Sequence, residues 1–191
     1  MEKYILEMRN ISKEFPGVKA LDNVNFKVKE GEIHCLVGEN GAGKSSLIKV
    51  LCGAYPPDGG TMLLAGEPYA PHSPFDSICK GMRVVHQELL MLDQLSVAEN
   101  LLFESLPRKH FGLIDRVALN RRASELLSLV GLDDVSPTQI VQGLGMAQRQ
   151  LIEIAKALSG DSRIVIMDEP TATLTSRETE RVFEIIVRLR D

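Results

Sequence analysis

The run Ile33-His34-Cys35-Leu36-Val37-Gly38-Glu39-Asn40-Gly41-Ala42-Gly43-Lys44-Ser45-Ser46 decides the fold. Its first five residues are mostly apolar and read as a buried strand, with Cys35 a small core residue. Beyond it Leu47, Ile48 and Leu51 fall at helical spacing. Between strand and helix, Gly38 to Ser45 fits the pattern G-x-x-x-x-G-K-[ST] in the context that pattern requires. Glycines there let backbone approach a ligand where a side chain would block it. The amides of Gly38, Glu39, Asn40, Gly41, Ala42, Gly43, Lys44, Ser45 and Ser46, aided by the positive end of the helix, should face an anion.

That socket suits the phosphates of a nucleoside triphosphate, read here as ATP with Mg2+. Lys44 should bridge the β- and γ-phosphates, and the Ser45 hydroxyl should ligate the metal.

Upstream of the loop, Tyr4–Met8 and Val24–Val28 read as strands, with turns at Gly17 and Glu30-Gly31. Downstream, Gly53 is placed to cap the helix, and Pro56-Pro57-Asp58-Gly59-Gly60 is a turn leading to a strand at Thr61–Leu64. From Pro74 to Leu158 the pattern is mainly helical: Ser96-Val97-Ala98-Glu99 has capping-box form, Asn120–Val130 is amphipathic and closed by Gly131, and Ala147–Leu158 is a third helix. Arg163–Met167 returns to a buried strand, and Arg177–Leu189 is helical. The expectation is one α/β domain over residues 1–191, with a helical insertion at about 88–158. Asp191 falls in or just after a helix with no closing strand, as in a piece of a longer protein.

A net charge of −4 with no basic run argues against general nucleic-acid binding, so no nucleic-acid partner is expected. No apolar run approaches the roughly 18 residues of a membrane span, and the start Met-Glu-Lys-Tyr lacks a secretory leader, which predicts a cytoplasmic chain. Three scattered cysteines and four unclustered histidines offer no metal-type spacing.

The second signal, after the phosphate loop, is Ile164-Val165-Ile166-Met167-Asp168-Glu169, an apolar strand ending in two carboxylates. Ligands gather at such strand ends in parallel sheets. Beside a phosphate loop, Asp168 is read as a magnesium ligand through water, and Glu169 as the general base that polarises the attacking water.

These motifs, in this order, resemble the ATP-binding subunits of ABC transporters over nearly the whole chain. Phe15-Pro16-Gly17-Val18, Val37 to Lys44, Ile152 to Leu158 and Glu169-Pro170-Thr171-Ala172 are similar to importers of simple sugars, the ribose and galactose type, and to the N-terminal of their two ATPase halves. The resemblance implies a P-loop NTPase core with an antiparallel β subdomain and a helical insertion, the ABC ATPase fold. It also implies that Phe15 stacks on adenine and that Gln87, in Val84-Val85-His86-Gln87-Glu88, contacts metal and water and senses the membrane partner. Gly145 and Gln148 would belong to the signature segment that meets ATP held by an opposing domain. Implied partners are transmembrane permease subunits, a second nucleotide-binding domain in the same longer chain and, indirectly, an extracytoplasmic solute-binding protein. The implied place is the cytoplasmic face of the membrane. Two other readings keep the nucleotide site: a soluble ABC ATPase working on ribosomes or DNA, and a nucleotide-dependent protein clamp.

Three departures stand out. The family's L-S-G-G-Q, often L-S-V-G-Q in sugar importers, is Leu144-Gly145-Met146-Ala147-Gln148, so the phosphate-touching serine is missing and a methyl is added. The D-loop aspartate position is Thr175. The switch histidine would follow a strand beyond residue 191, so the chain alone should bind nucleotide and hydrolyse it poorly.

Overall fold

The computed structural model describes residues 3–85, 91–171 and 174–190. The chain divides into two compact units, one running to Met82 and taking in the last residues of the C-terminal helix, the other Arg83–Arg188.

In the first unit the two predicted strands are longer than their apolar cores. β1 (Tyr4–Phe15) and β2 (Val18–Lys29) form a hairpin whose turn holds Gly17 at φ 80°. Register shifts between Met8 and Ile11 fall where Asn10 and Asn23 take φ 53° and 51°, a left-handed geometry asparagine tolerates. β3 (Gly59–Leu64) pairs on the other side of β1, Leu6 opposite Leu64 and Met8 opposite Met62. With β4 (Glu67–Pro68) the sheet order is β2-β1-β3-β4, antiparallel throughout. Leu6, Met8, Ile11, Met62 and Leu64 are buried, as are Leu47, Val50 and Leu51 of α1 (Lys44–Leu51). Each such side chain contributes about 1.5–3 kcal/mol.

Gly53, at φ 70°, ends α1 as its sequence position predicts. Its N–H donates to Val50 O at 3.1 Å and that of Ala54 to Lys49 O at 2.9 Å, a Schellman closure that satisfies orphan carbonyls. The Tyr69 hydroxyl takes another, Leu51 O, at 2.7 Å. α2 (Pro74–Cys79) starts on Ser73, whose hydroxyl accepts from the Asp76 N–H.

One expectation in this unit fails. Ile33–Val37 forms no strand; Val37 is 89% exposed and Cys35 is exposed, not core. A strand exists only where a neighbour takes its N–H and C=O groups, and no described residue does so here.

The second unit departs from an all-helical reading at its start, where β5 (Met82–Val85) pairs with β6 (Ile164–Met167). α3 (Val97–Leu101) carries the predicted capping box: Glu99 N–H donates to Ser96 Oγ at 3.3 Å, and Ser96 N–H to Glu99 Oε2 at 3.0 Å. α4 (Arg116–Leu129) begins four residues earlier than its apolar periodicity suggests, because Asp115 accepts from the N–H groups of Val117 and Ala118. Gly131, at φ 65°, closes it. α5 (Met146–Ala157) and α6 (Ser176–Arg190) complete the unit. Leu101, Leu119, Leu127, Ile152, Ile154, Val182 and Ile185 share one buried apolar cluster.

Candidate functional site

The phosphate loop occupies the first unit. Gly41 and Gly43 have φ 86° and 88°, and the Ala42 N–H turns back to Glu39 O at 3.2 Å. Gly43 caps α1, whose Leu47 N–H reaches Gly43 O at 2.9 Å. No acidic residue sits in the first turn of α1, so its positive end is left for an external anion. Ser45 is exposed and Ser46 half-buried on that turn.

The two glycines differ in what they permit. A Cβ on Gly43 would lie 2.6 Å from Ala20 O and 3.2 Å from Leu21 Cδ2, whereas one on Gly41 meets nothing within 4 Å. Gly43 therefore lets the loop lie against β2, and Gly41 only allows the turn. Gly41→Ala is expected to cost about 1 kcal/mol, from backbone strain alone, and Gly43→Ala about 2–4 kcal/mol. Urea unfolding of both variants checks this; equal losses would contradict it.

Lys44 folds back over the loop. Its Nζ donates to Gly38 O and, at 2.9 Å, to Glu39 O. Triphosphate oxygens are charged and accept more strongly than these carbonyls, so a polyphosphate can take the ammonium from them. Phe15 ends β1 with its ring edge-on to Tyr55, the centroids 5.3 Å apart.

The acidic pair lies in the second unit. Asp168 continues the β5–β6 pairing one residue past the strand, its N–H donating to Val85 O at 3.0 Å. Glu169 then turns to φ 47°, left-handed geometry that a residue with a Cβ rarely adopts. Strain of this kind concentrates at functional sites. Among the described residues neither carboxylate has an ion-pair or hydrogen-bond partner.

The Leu144 segment is the approach to α5. Gly145 is its N-cap, at φ −68° and ψ 161°, and the Gln148 side chain accepts from the Gly145 N–H at 3.1 Å. That is half of a capping box; glycine has no oxygen to complete it. Arg149, which the sequence reading did not single out, fixes this segment. It donates to Leu144 O at 3.2 Å and Gln142 O at 3.1 Å and pairs with Asp93 at 2.9 Å. Only its place inside Gln148-Arg149-Gln150 could have pointed to it. Thr175 caps α6, donating through N–H and hydroxyl to Glu178 at 2.8 and 2.7 Å. Gln87 lies outside the described residues, with His86 and Glu88. Thus Phe15 and residues 38–46 belong to one unit, and Gly145, Gln148, Asp168 and Glu169 to the other.

Among the described residues no helix is long and apolar enough to cross a membrane, and no group of three or more His, Cys, Asp or Glu could hold a metal by itself.

A protein with this loop, acidic strand end and helix-capping segment falls in one class: the chain belongs to the ABC transporter family, whose model matches residues 21–172. It is 50% identical over 187 residues to a ribose import ATP-binding protein of Rubrobacter xylanophilus, covering 98% of this chain and 37% of that one. It is 47% identical over 186 residues to an arabinose import ATP-binding protein of Pseudomonas savastanoi pv. phaseolicola, covering 97% and 36%. The chain thus spans little more than a third of the length of such curated relatives. Among solved structures, the ADP conformation of an ATP-binding cassette of an ABC transporter superposes with a TM-score of 0.85 at 27% identity, over 98% of this chain and 77% of that one. A nucleotide-free cassette gives the same TM-score at 26% identity, over 98% and 77%. The fold is that of the ABC ATPases, as the motif order implied.

Proposed function

We propose that this chain is the ATP-binding and ATP-hydrolysing part of a membrane importer of a simple sugar. The observation that carries this is the loop itself: two left-handed glycines, an acid-free helix start and Lys44 folded across the cradle. The relatives named for ribose and arabinose import support the solute class.

In this reading the amides of residues 38–46 and Lys44 grip the phosphates, and Phe15 takes the base. Mg2+ suits the donor types: the Ser45 hydroxyl, exposed here, and the Asp168 carboxylate, without a partner among the described residues, are hard oxygen donors of the kind this cation takes alongside phosphate oxygens and water. Bound there, it would neutralise charge that develops between the β- and γ-phosphates. Gln87 would be a further ligand and sensor. Glu169 orients the attacking water and accepts its proton. Residues 88–158 act as a helical subdomain that carries the Gly145 segment to ATP held by a second nucleotide-binding domain. Permease subunits respond to that closure, a solute-binding protein acts on the far side, and the chain sits on the cytoplasmic face of the membrane. ATP then shifts the population toward a closed pair because only that state offers contacts from both sides.

The missing serine gives a prediction. A Cβ on Gly145 meets nothing closer than Gln148 Oε1 at 3.9 Å, and φ −68° suits any residue. Gly145→Ser should complete the capping box and raise stability by about 0.3 kcal/mol. In the intact transporter, Gly145→Ser with Ala147→Gly restores a bond to charged phosphate of about 1.5–3 kcal/mol. ATPase and sugar-uptake rates should rise roughly tenfold; unchanged rates would mean that losing the serine does not weaken the site this segment completes on the opposing domain. The function as a whole is tested by ATP turnover and sugar uptake of the intact protein with and without its permease, where permease-independent turnover with no uptake would contradict it.

A further inference from the structure

We propose that Tyr55 is a positioning residue for Phe15, so that an aromatic pair, and not a lone ring, forms the base site. This rests on the reading of the phosphate loop and Phe15 as a nucleotide site.

Phe15 is the last residue of β1, paired with Val18 across the turn. A half-exposed ring at a strand end samples several rotamers unless something holds it. Here its neighbours on two sides do so. The Tyr55 ring meets it at 5.3 Å with an interplanar angle of 74°, the edge-to-face geometry that ring quadrupoles favour. The Lys13 ammonium stands 5.7 Å from its centroid and is itself bound to Asp58 at 2.8 Å. The other Asp58 oxygen accepts from the Glu14 N–H at 2.7 Å, clamping the strand end that carries the ring.

Tyr55 is held in turn by the helix that starts at the phosphate loop. Its N–H donates to Lys49 O at 3.2 Å, just past the Gly53 closure, and the Lys49 ammonium lies 5.6 Å from its ring. α1 therefore has the phosphate loop at one end and the aromatic pair at the other. Its length is about 12 Å, a span that ribose and phosphates can bridge. A platform ordered before binding spares the nucleotide the entropy of immobilising it. Among the described residues the Tyr55 hydroxyl has no partner, so the ring and not the hydroxyl matters. Every base offers a π-face, so the effect should not discriminate between bases.

The test is the dissociation constants of Mg·ATP, Mg·GTP and Mg·tripolyphosphate for the parent protein and Tyr55→Ala, Tyr55→Leu, Tyr55→Phe and Phe15→Ala. Tyr55→Ala and the bulkier Tyr55→Leu should weaken ATP and GTP alike, roughly three- to tenfold, and leave tripolyphosphate unchanged. Tyr55→Phe should match the parent. ATP affinity unaffected by either Ala or Leu overturns the proposal, as does tripolyphosphate weakening in step with ATP, which would make Tyr55 a support for α1 alone. If Phe15→Ala leaves ATP unchanged while tripolyphosphate still binds, the base platform falls and Tyr55 with it, but the phosphate loop stands. A parent protein that binds none of the three overturns the underlying reading too.

Discussion

Lys44→Ala should weaken Mg·ATP by about 100-fold and abolish hydrolysis. Lys44 is the one loop side chain that supplies a full positive charge, and its two partners here are neutral carbonyls at the start of the loop, Gly38 O and Glu39 O. Two hydrogen bonds to phosphate at about 1.5–3 kcal/mol each exceed what the carbonyl bonds return to water, and each 1.4 kcal/mol is a tenfold change. Because those bonds lie in an exposed loop, the substitution should leave the unfolding midpoint nearly unchanged. Lys44→Arg should not rescue, since a planar fork does not replace a compact ammonium in a cradle this tight. Titration with a fluorescent nucleotide, alongside chemical unfolding, separates binding from stability. Tight binding by a folded Lys44→Ala protein would contradict the role.

Glu169→Gln should lower turnover in the intact transporter by about 10²–10⁴-fold, the range a general base supplies, while Mg·ATP still binds. Single-turnover hydrolysis is the measurement, and a loss of less than about tenfold would assign the proton to another group. The backbone adds a second expectation at the same residue. At φ 47° Glu169 carries strain of about 1–2 kcal/mol that glycine would not. Glycine gives back about 0.5–1 kcal/mol through the unfolded chain, so Glu169→Gly should stabilise by up to about 1.5 kcal/mol while abolishing turnover. Lower stability would show that the glutamate side chain helps hold the fold, and that the geometry serves structure.

The phosphate loop was legible in the sequence because everything it needs is local: glycines, lysine and serine at fixed offsets between an apolar run and a helix. The Ser96–Glu99 box and the Gly53 and Gly131 closures were legible for the same reason. Features that depend on a distant partner, or on a cap lying outside the apolar period, were not. Ile33–Val37 has the composition of a buried strand, but composition states what a segment would pair with, not that the pair is present, and here Val37 is 89% exposed. β5 has only four residues, and although Gly81 at φ 89° directly precedes it, a run that short is read as strand only once its partner β6 is known. The start of α4 was missed because Asp115 precedes a first turn whose Val117 is 76% exposed, so the cap falls outside the apolar period. The sequence demands glycine at position 43 but cannot show that Ala20 O is the atom in the way. The pairing of Phe15 with Tyr55 has no local sign at all. Arg149 likewise joins Asp93 to the Gly145 segment across a long stretch of chain.

Isothermal titration of Mg·ATP into the folded protein tests the phosphate socket most directly. Saturable heat at one site per chain, displaced by Mg·tripolyphosphate and lost in Lys44→Ala, is the expected result. No heat from protein shown to be folded, or heat that Lys44→Ala leaves untouched, would mean that residues 38–46 do not hold a nucleotide.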